Sequence, residues 1–254
     1  MNLSACEFTN RSQRIRVLSE CWAVEHLFCP QCGGRLERFP NNAPVADFFC
    51  AACREEYELK STSANRCARI PGGAYSAMIR RLLAANNPNL ILLSYDRASL
   101  AVRNVFVVPR YFFTPELIRK RAPLAPTARR AGWVGCTIEI AAVPETGRVF
   151  FVTGGKARGQ GAVLDAWSET QFLRNVGTVQ ARGWLVSVMR CIERLRGREF
   201  TLADLYAHED EFQRQHPGNQ HIREKLRQQL QVLRDKGRVQ FLARGRYRWR
   251  GNAV

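Results

Sequence analysis

The stretch Pro44-Val-Ala-Asp-Phe-Phe-Cys-Ala-Ala-Cys-Arg-Glu-Glu-Tyr-Glu-Leu-Lys60 places two kinds of chemistry in one hairpin-sized segment. Val45, Phe48 and Phe49 read as a buried strand and Tyr57 to Lys60 as the returning one, with Cys50-x-x-Cys53 at the turn. Side chains alternate along a strand, so Glu58 and Lys60 share a face while Leu59 points to the core. Asp47 lies on the neighbouring strand, where pairing can bring it beside Glu58. Two carboxylates and an ammonium held together suit a hard divalent cation, and phosphodiester hydrolysis asks for that set.

A second Cys-x-x-Cys precedes this one. Cys29-Pro-Gln-Cys32-Gly-Gly is followed, after 17 intervening residues, by Cys50-Ala-Ala-Cys53. Two such pairs across a short spacer match a zinc ribbon, and glycines free the backbone for turns that let thiolates converge. No open coordination position is evident, so the expected Zn2+ is structural: it braces the hairpin that carries Asp47 and Glu58. The total of nine cysteines is odd and the N-terminus lacks a charged n-region and an apolar h-region. Disulfides are therefore not expected, and a soluble cytoplasmic protein is. Cys6, Cys21, Cys67, Cys136 and Cys191 read as small hydrophobes.

Composition names a partner. Thirty-nine Lys and Arg against 22 Asp and Glu give a net charge of +17, and 46% hydrophobic residues suffice for a core. A folded chain this basic, without a low-complexity tail, points to a polyanion such as nucleic acid. No basic amphipathic helix stands apart from the core-forming segments, so a membrane partner is not expected.

Periodicity predicts an α/β core. Helices fall at Ser12 to Leu27, where His26 reads as a packing or capping residue, and at Ala74 to Asn86, with Tyr75, Met78, Ile79, Leu82 and Leu83 inward. Pro71-Gly-Gly reads as a break. Strands at Leu90 to Tyr95, Asn104 to Val108, Thr137 to Ile140 and Arg148 to Val152 are expected in one mixed sheet. Thr114-Pro-Glu reads as a capped helix start. The Pro- and Gly-rich segment 120–135 is a loop carrying Arg129, Arg130 and Trp133: arginines for phosphates, an indole for bases or a methyl group.

From Gly183 the pattern becomes helix, helix, helix, hairpin, the winged-helix order. Trp184 to Leu195 is the first helix, a second runs from an N-cap at Thr201 to Gln215, and the third spans Gln220 to Lys236. Asn219, His221, Arg223 and Arg227 are candidate DNA contacts on the third helix and its approach, and Arg244 and Arg246 on the hairpin tip.

The runs Asn41 to Cys50, Glu58-Leu-Lys-Ser61, Pro123 to Cys136 and Arg227 to Lys236 closely resemble the DpnI-like methyl-directed (Type IIM) restriction endonucleases, over nearly the whole chain. The resemblance implies a PD-(D/E)xK endonuclease domain over 1–180 and a winged-helix DNA-binding domain over 181–254. It also implies Mg2+-dependent cleavage of double-stranded DNA at GATC carrying N6-methyladenine, in a bacterial cytoplasm, with both domains recognising the site. Asp47, Glu58 and Lys60 match the catalytic motif and Trp133 the tryptophan of a DNA-reading loop, while Ala46 stands where the motif's proline would be. Mg2+ is expected at Asp47, Glu58 and the Leu59 carbonyl, and Zn2+ at Cys29, Cys32, Cys50 and Cys53. No dimer seam is evident, so a monomer is expected. The competing expectation is a zinc-ribbon and winged-helix regulator that binds DNA without cutting it.

Overall fold

The computed structural model describes residues 10–40, 46–64, 67–84, 86–195 and 198–251. Cys6, Pro44 and Val45 lie outside them. The chain opens with helix α1 (Arg11–His26), capped by the Asn10 side chain. His26 stacks on Trp22 at 4.7 Å between ring centroids and bonds the Trp22 carbonyl oxygen at 2.9 Å, the packing role expected of it. Strands β1 (Leu36–Arg38), β2 (Phe48–Cys50) and β3 (Glu56–Thr62) follow, then β4 (Ile70–Ala74) and helix α2 (Tyr75–Leu83). Next come β5 (Asn89–Tyr95), β6 (Val102–Val108), β7 (Ile118–Lys120), β8 (Gly135–Ile138), β9 (Val149–Thr153), β10 (Lys156–Ala157) and helix α3 (Gln160–Ser168).

A seven-stranded sheet runs β1-β2-β3-β5-β6-β9-β10, and its one parallel pair is β3 with β5. Every residue of β5 is buried, as an interior strand covered on both faces requires. Its alternation divides the interior. Ile91, Leu93 and Tyr95, with Val105 and Val107 of β6, join the core formed with α1, α3 and the cysteine knuckles. Leu90 and Leu92, with Phe106 and Val108, face a second core that continues through α2 into the C-terminal helices. Leu90 and Leu92 are the register partners of Glu58 and Lys60, so those two polar side chains belong to the second face.

Several expectations need correction. Thr137 and Ile138 do not extend the large sheet: β8 pairs with β4 and β7 in a separate three-stranded sheet. Pro71-Gly-Gly is strand, tolerated because β4 is an edge where a missing N–H costs no ladder bond. Helix α2 is shorter than its apolar pattern, and Leu83 is 52% exposed because it falls off the row that buries Leu82. The turn after Thr114 is a single 3-10 turn that the Thr114 side chain does not cap. Phe49 is half-buried, its ring 4.7 Å from that of Phe39.

The remaining elements are helices α4 (Val179–Arg194), α5 (Leu202–Tyr206), α6 (Glu209–Gln215) and α7 (Ile222–Asp235), and strands β11 (Glu199–Thr201), β12 (Val239–Ala243) and β13 (Arg246–Trp249). The expected second helix is thus two, α5 and α6. Thr201 does cap α5, in a reciprocal capping box with Asp204. Strands β11, β13 and β12 form an antiparallel sheet behind α7. Gly183 lets α4 approach its neighbour: a Cβ there would stand 2.8 Å from the Glu116 carboxylate.

His216 makes this junction pH-sensitive. Its ring stacks on Trp184 at 3.9 Å, and its Nε2 shares a hydrogen bond with the Ser187 hydroxyl at 3.1 Å. Burial, with Arg190 and Lys225 repelling a further charge, outweighs the Glu116 carboxylate 3.6 Å away and lowers the His216 pKa to about 4. A free imidazole takes its proton near 6.5, so the unfolded chain binds more protons between the two values. The contribution is full above pH 6.5 and is lost as pH falls toward 4, up to about 3 kcal/mol in all. Urea titrations at pH 7 and pH 5 check this. His216→Gln should show a shallower pH slope than the parent chain; equal slopes would refute it.

Candidate functional site

The four knuckle cysteines converge. Their Sγ atoms all lie within 4.8 Å of one another, with Cys29 to Cys53 at 3.4 Å and Cys32 to Cys50 at 3.5 Å. A tetrahedron of thiolates around Zn2+ has edges of about 3.8 Å, so the set fits that ion. The two turns repeat one geometry. Cys29 N–H donates to the Gly34 carbonyl and Gly33 N–H to that of Cys29, while Cys50 N–H donates to Glu55 and Arg54 N–H to Cys50. Gly33 and Arg54 occupy the same left-handed corner, at φ 76° and 63°, so the second knuckle manages without glycine. Tyr57, fully buried on β3, reaches Cys29 Sγ at 3.1 Å. Burial pushes the Cys29 thiol up to about 11, a penalty that a bound cation would offset by holding the thiolate.

The same strand carries the acids. Asp47, just before β2, donates its backbone N–H to the Tyr57 carbonyl at 2.9 Å, and its Oδ2 accepts the Leu59 N–H at 2.7 Å. Lys60 Nζ pairs with Glu58 Oε1 at 2.7 Å. Burial raises the Asp47 pKa above the ordinary carboxylate value; the Leu59 N–H opposes that, Glu20 and Glu58 add to it, and Lys60 eases it. Asp47, Glu58 and Lys60 therefore form one electrostatic cluster around Leu59, with carboxylate oxygens as its donor set and the ammonium beside them. That set could hold a hard divalent cation.

Glu20 escaped the sequence reading. It lies on α1, bonded to Arg16 at 2.7 Å, and its charge, like that of Glu58, raises the Asp47 pKa. The available signal was an acid between the inward Leu18 and Trp22, which is hard to tell from an ordinary exposed residue.

The arginine loop springs from β7 and β8. Arg121 N–H bonds the Gly135 carbonyl at 3.0 Å, closing its base, and Leu124 N–H bonds that of Trp133 at 3.0 Å. Trp133 is half-buried and folds back over Gly135, where a Cβ would stand 2.7 Å from the indole. Arg130 lies over the indole at 4.8 Å, and Arg129 and Arg130 are both exposed. Buried Cys136 on β8 feels Glu58 and Arg121 with opposite sign, so the loop base and the acid strand neighbour one another.

On α7, Arg223 bonds Glu209 at 2.8 Å and covers the Tyr206 ring, and Arg227 bonds the Tyr206 hydroxyl at 3.0 Å and Glu224 at 3.1 Å. Asn219 Oδ1 accepts the His221 N–H at 2.7 Å, shaping the helix entry. Arg244 is exposed at the hairpin turn; Arg246 lies 3.5 Å from Glu199. The candidate DNA contacts thus fall on two elements, the loop of Trp133 and the α7–hairpin region.

Comparison with known families decides what this arrangement belongs to. Residues 1–176 match the DpnI, or Dam-replacing, family. The chain belongs to that family. Residues 180–249 match the Dam-replacing HTH domain, which makes DNA the partner of the region built on α7. The DpnI family and its HTH domain support a methylation-dependent restriction enzyme, a nuclease and so a hydrolase. Among the described residues, no helix is long and apolar enough to cross a membrane.

Proposed function

We propose that the chain is an Mg2+-dependent type II endonuclease with a PD-(D/E)xK core, cutting double-stranded DNA at GATC bearing N6-methyladenine. The observation that carries this reading is the cluster of Asp47, Glu58 and Lys60 joined through the Leu59 N–H. Asp47, Glu58 and the Leu59 carbonyl would hold the cation. Bound there, Mg2+ would supply charge for the phosphate and its leaving oxygen. Lys60, kept in place by Glu58, orients the attacking water and faces the charge that builds on the phosphate. Structural Zn2+ at the four cysteines braces β2 against β3. The working unit is a cytoplasmic monomer, with the nuclease domain over 1–180 and a winged-helix domain over 181–254.

Arg129 and Arg130 hold the backbone while the Trp133 indole meets the methyl group, which projects into the major groove. Asn219, His221, Arg223, Arg227, Arg244 and Arg246 make the second set of contacts, from α7 and the hairpin. Each buried methyl contributes roughly 1 kcal/mol, about fivefold, so two methyls read by two domains would multiply the discrimination. Plasmid from a methylating and from a non-methylating host, incubated with Mg2+, tests the proposal. Only the first should be cut to linear fragments; retardation of both without cutting favours a regulator, and relaxed circles a nickase. Trp133→Ala should narrow the preference for methylated over bare GATC by about fivefold or more, measured as a ratio of cleavage rates. An unchanged ratio would remove the indole from the reading.

A further inference from the structure

An arginine-lined cavity of about 290 Å³ lies where the segment before α4 meets the turn after β6. Arg110, Arg174 and Arg182 line it together with Tyr111, Asn87 and Asn175, and among the described residues no carboxylate does. The arginines are held, not loose. Buried Glu55, just before β3, takes Arg110 and Arg174 at 3.4 Å each, while Asn89 bonds its other oxygen at 2.9 Å. Both guanidiniums also lie against the Tyr111 ring, at 5.2 and 5.8 Å.

Arg182 is the unusual member. It is only 7% exposed and donates Nη1 to the Val176 carbonyl at 3.0 Å, and among the described residues no carboxylate is paired with it. Its Nε has no hydrogen-bond partner among the described residues, and burial lowers its pKa below the ordinary guanidinium value. A buried charge in that state is costly unless an anion completes it. The first turn of α4, capped by Thr178, adds the positive end of a sixteen-residue helix beside the same cavity. Three forked donors, one internal acid to order two of them, and a helix start make a receptor for a tetrahedral oxyanion.

We propose that this cavity binds a phosphate group, tying the start of α4 to the Glu55 end of β3. Glu55 is three residues from Glu58, on the order of 10 Å along a strand, so the site is separate from the acid cluster. It stands whether or not the hydrolytic reading does. The phosphate comes either from solution, as orthophosphate or a nucleotide's phosphate, or from the backbone of bound DNA.

Equilibrium dialysis with radiolabelled orthophosphate tests it, using the full chain without magnesium and with chloride matching the ionic strength throughout. Saturable uptake of one phosphate per chain is expected, with a thermal midpoint above that in chloride. Arg174→Gln, at a half-exposed position, should weaken uptake about tenfold or more while the circular dichroism is unchanged. Arg182→Lys, which keeps the charge but loses the fork, should also weaken it. No saturable uptake above chloride, or uptake indifferent to Arg174→Gln, overturns the site. A methylated GATC duplex added with Ca2+ assigns the source: displacement of orthophosphate means the DNA backbone occupies the cavity, and simultaneous binding means a free phosphate does.

Discussion

Asp47→Asn should lose DNA cleavage by about 10³-fold or more while the chain stays folded and still retards methylated DNA in a gel. The choice of asparagine follows from the Leu59 N–H, which donates to Asp47 Oδ2 at 2.7 Å. Alanine would leave that donor without its acceptor, at about 1–3 kcal/mol if it stays dry, and would confuse lost chemistry with lost structure. Asparagine keeps an oxygen there and removes only the charge. Lys60→Ala should fall by a similar factor, since it takes away the ammonium that Glu58 holds at 2.7 Å. Quantitative digestion and gel retardation on one methylated duplex read both effects. Cleavage by Asp47→Asn at the parent rate would leave DNA docking as the function and the acid cluster as structure.

If Zn2+ sits in the knuckles as proposed, removing it should have as large an effect on folding. A zinc site of four thiolates contributes about 10–16 kcal/mol in small zinc peptides, as much as the entire stability of an ordinary domain, about 5–15 kcal/mol. Cys50→Ser, or a strong chelator added to the parent chain, should therefore release Zn2+ and unravel β1, β2 and the start of β3. Cys50 and Cys29 are fully buried members of the core that also holds Tyr57 and Ile91, so the damage should spread into it. Metal analysis should give one zinc per parent chain, and circular dichroism should report the loss. A zinc-free variant with the parent's spectrum and melting point would show that the thiols need no cation.

Much of this was legible in the residues because the governing rules are local. Strand alternation set Glu58 and Lys60 on one face and Leu59 on the other, and Cys-x-x-Cys spacing announced the knuckles. Helices α1, α4 and α7 followed from their apolar rows. What escaped depends on contacts between distant segments. Pro71-Gly-Gly is strand only because β8, more than sixty residues later, offers it an edge. Leu83 looked inward because its neighbours are apolar, yet it falls off the row that buries Leu82. Glu20 bears on the charge of Asp47 because α1 packs against β1 and β3, and the arginine-lined cavity unites positions 87, 110, 174 and 182, which no motif connects.

The single bond from Arg121 N–H to the Gly135 carbonyl works as a drawstring. Residues 122 to 132 lie outside it, while Val134 is tied to Tyr75 of α2, so insertions or exchanges in that interval should leave the strand bearing Glu58 and Lys60 undisturbed. A chain built this way can change its vocabulary without dulling its blade.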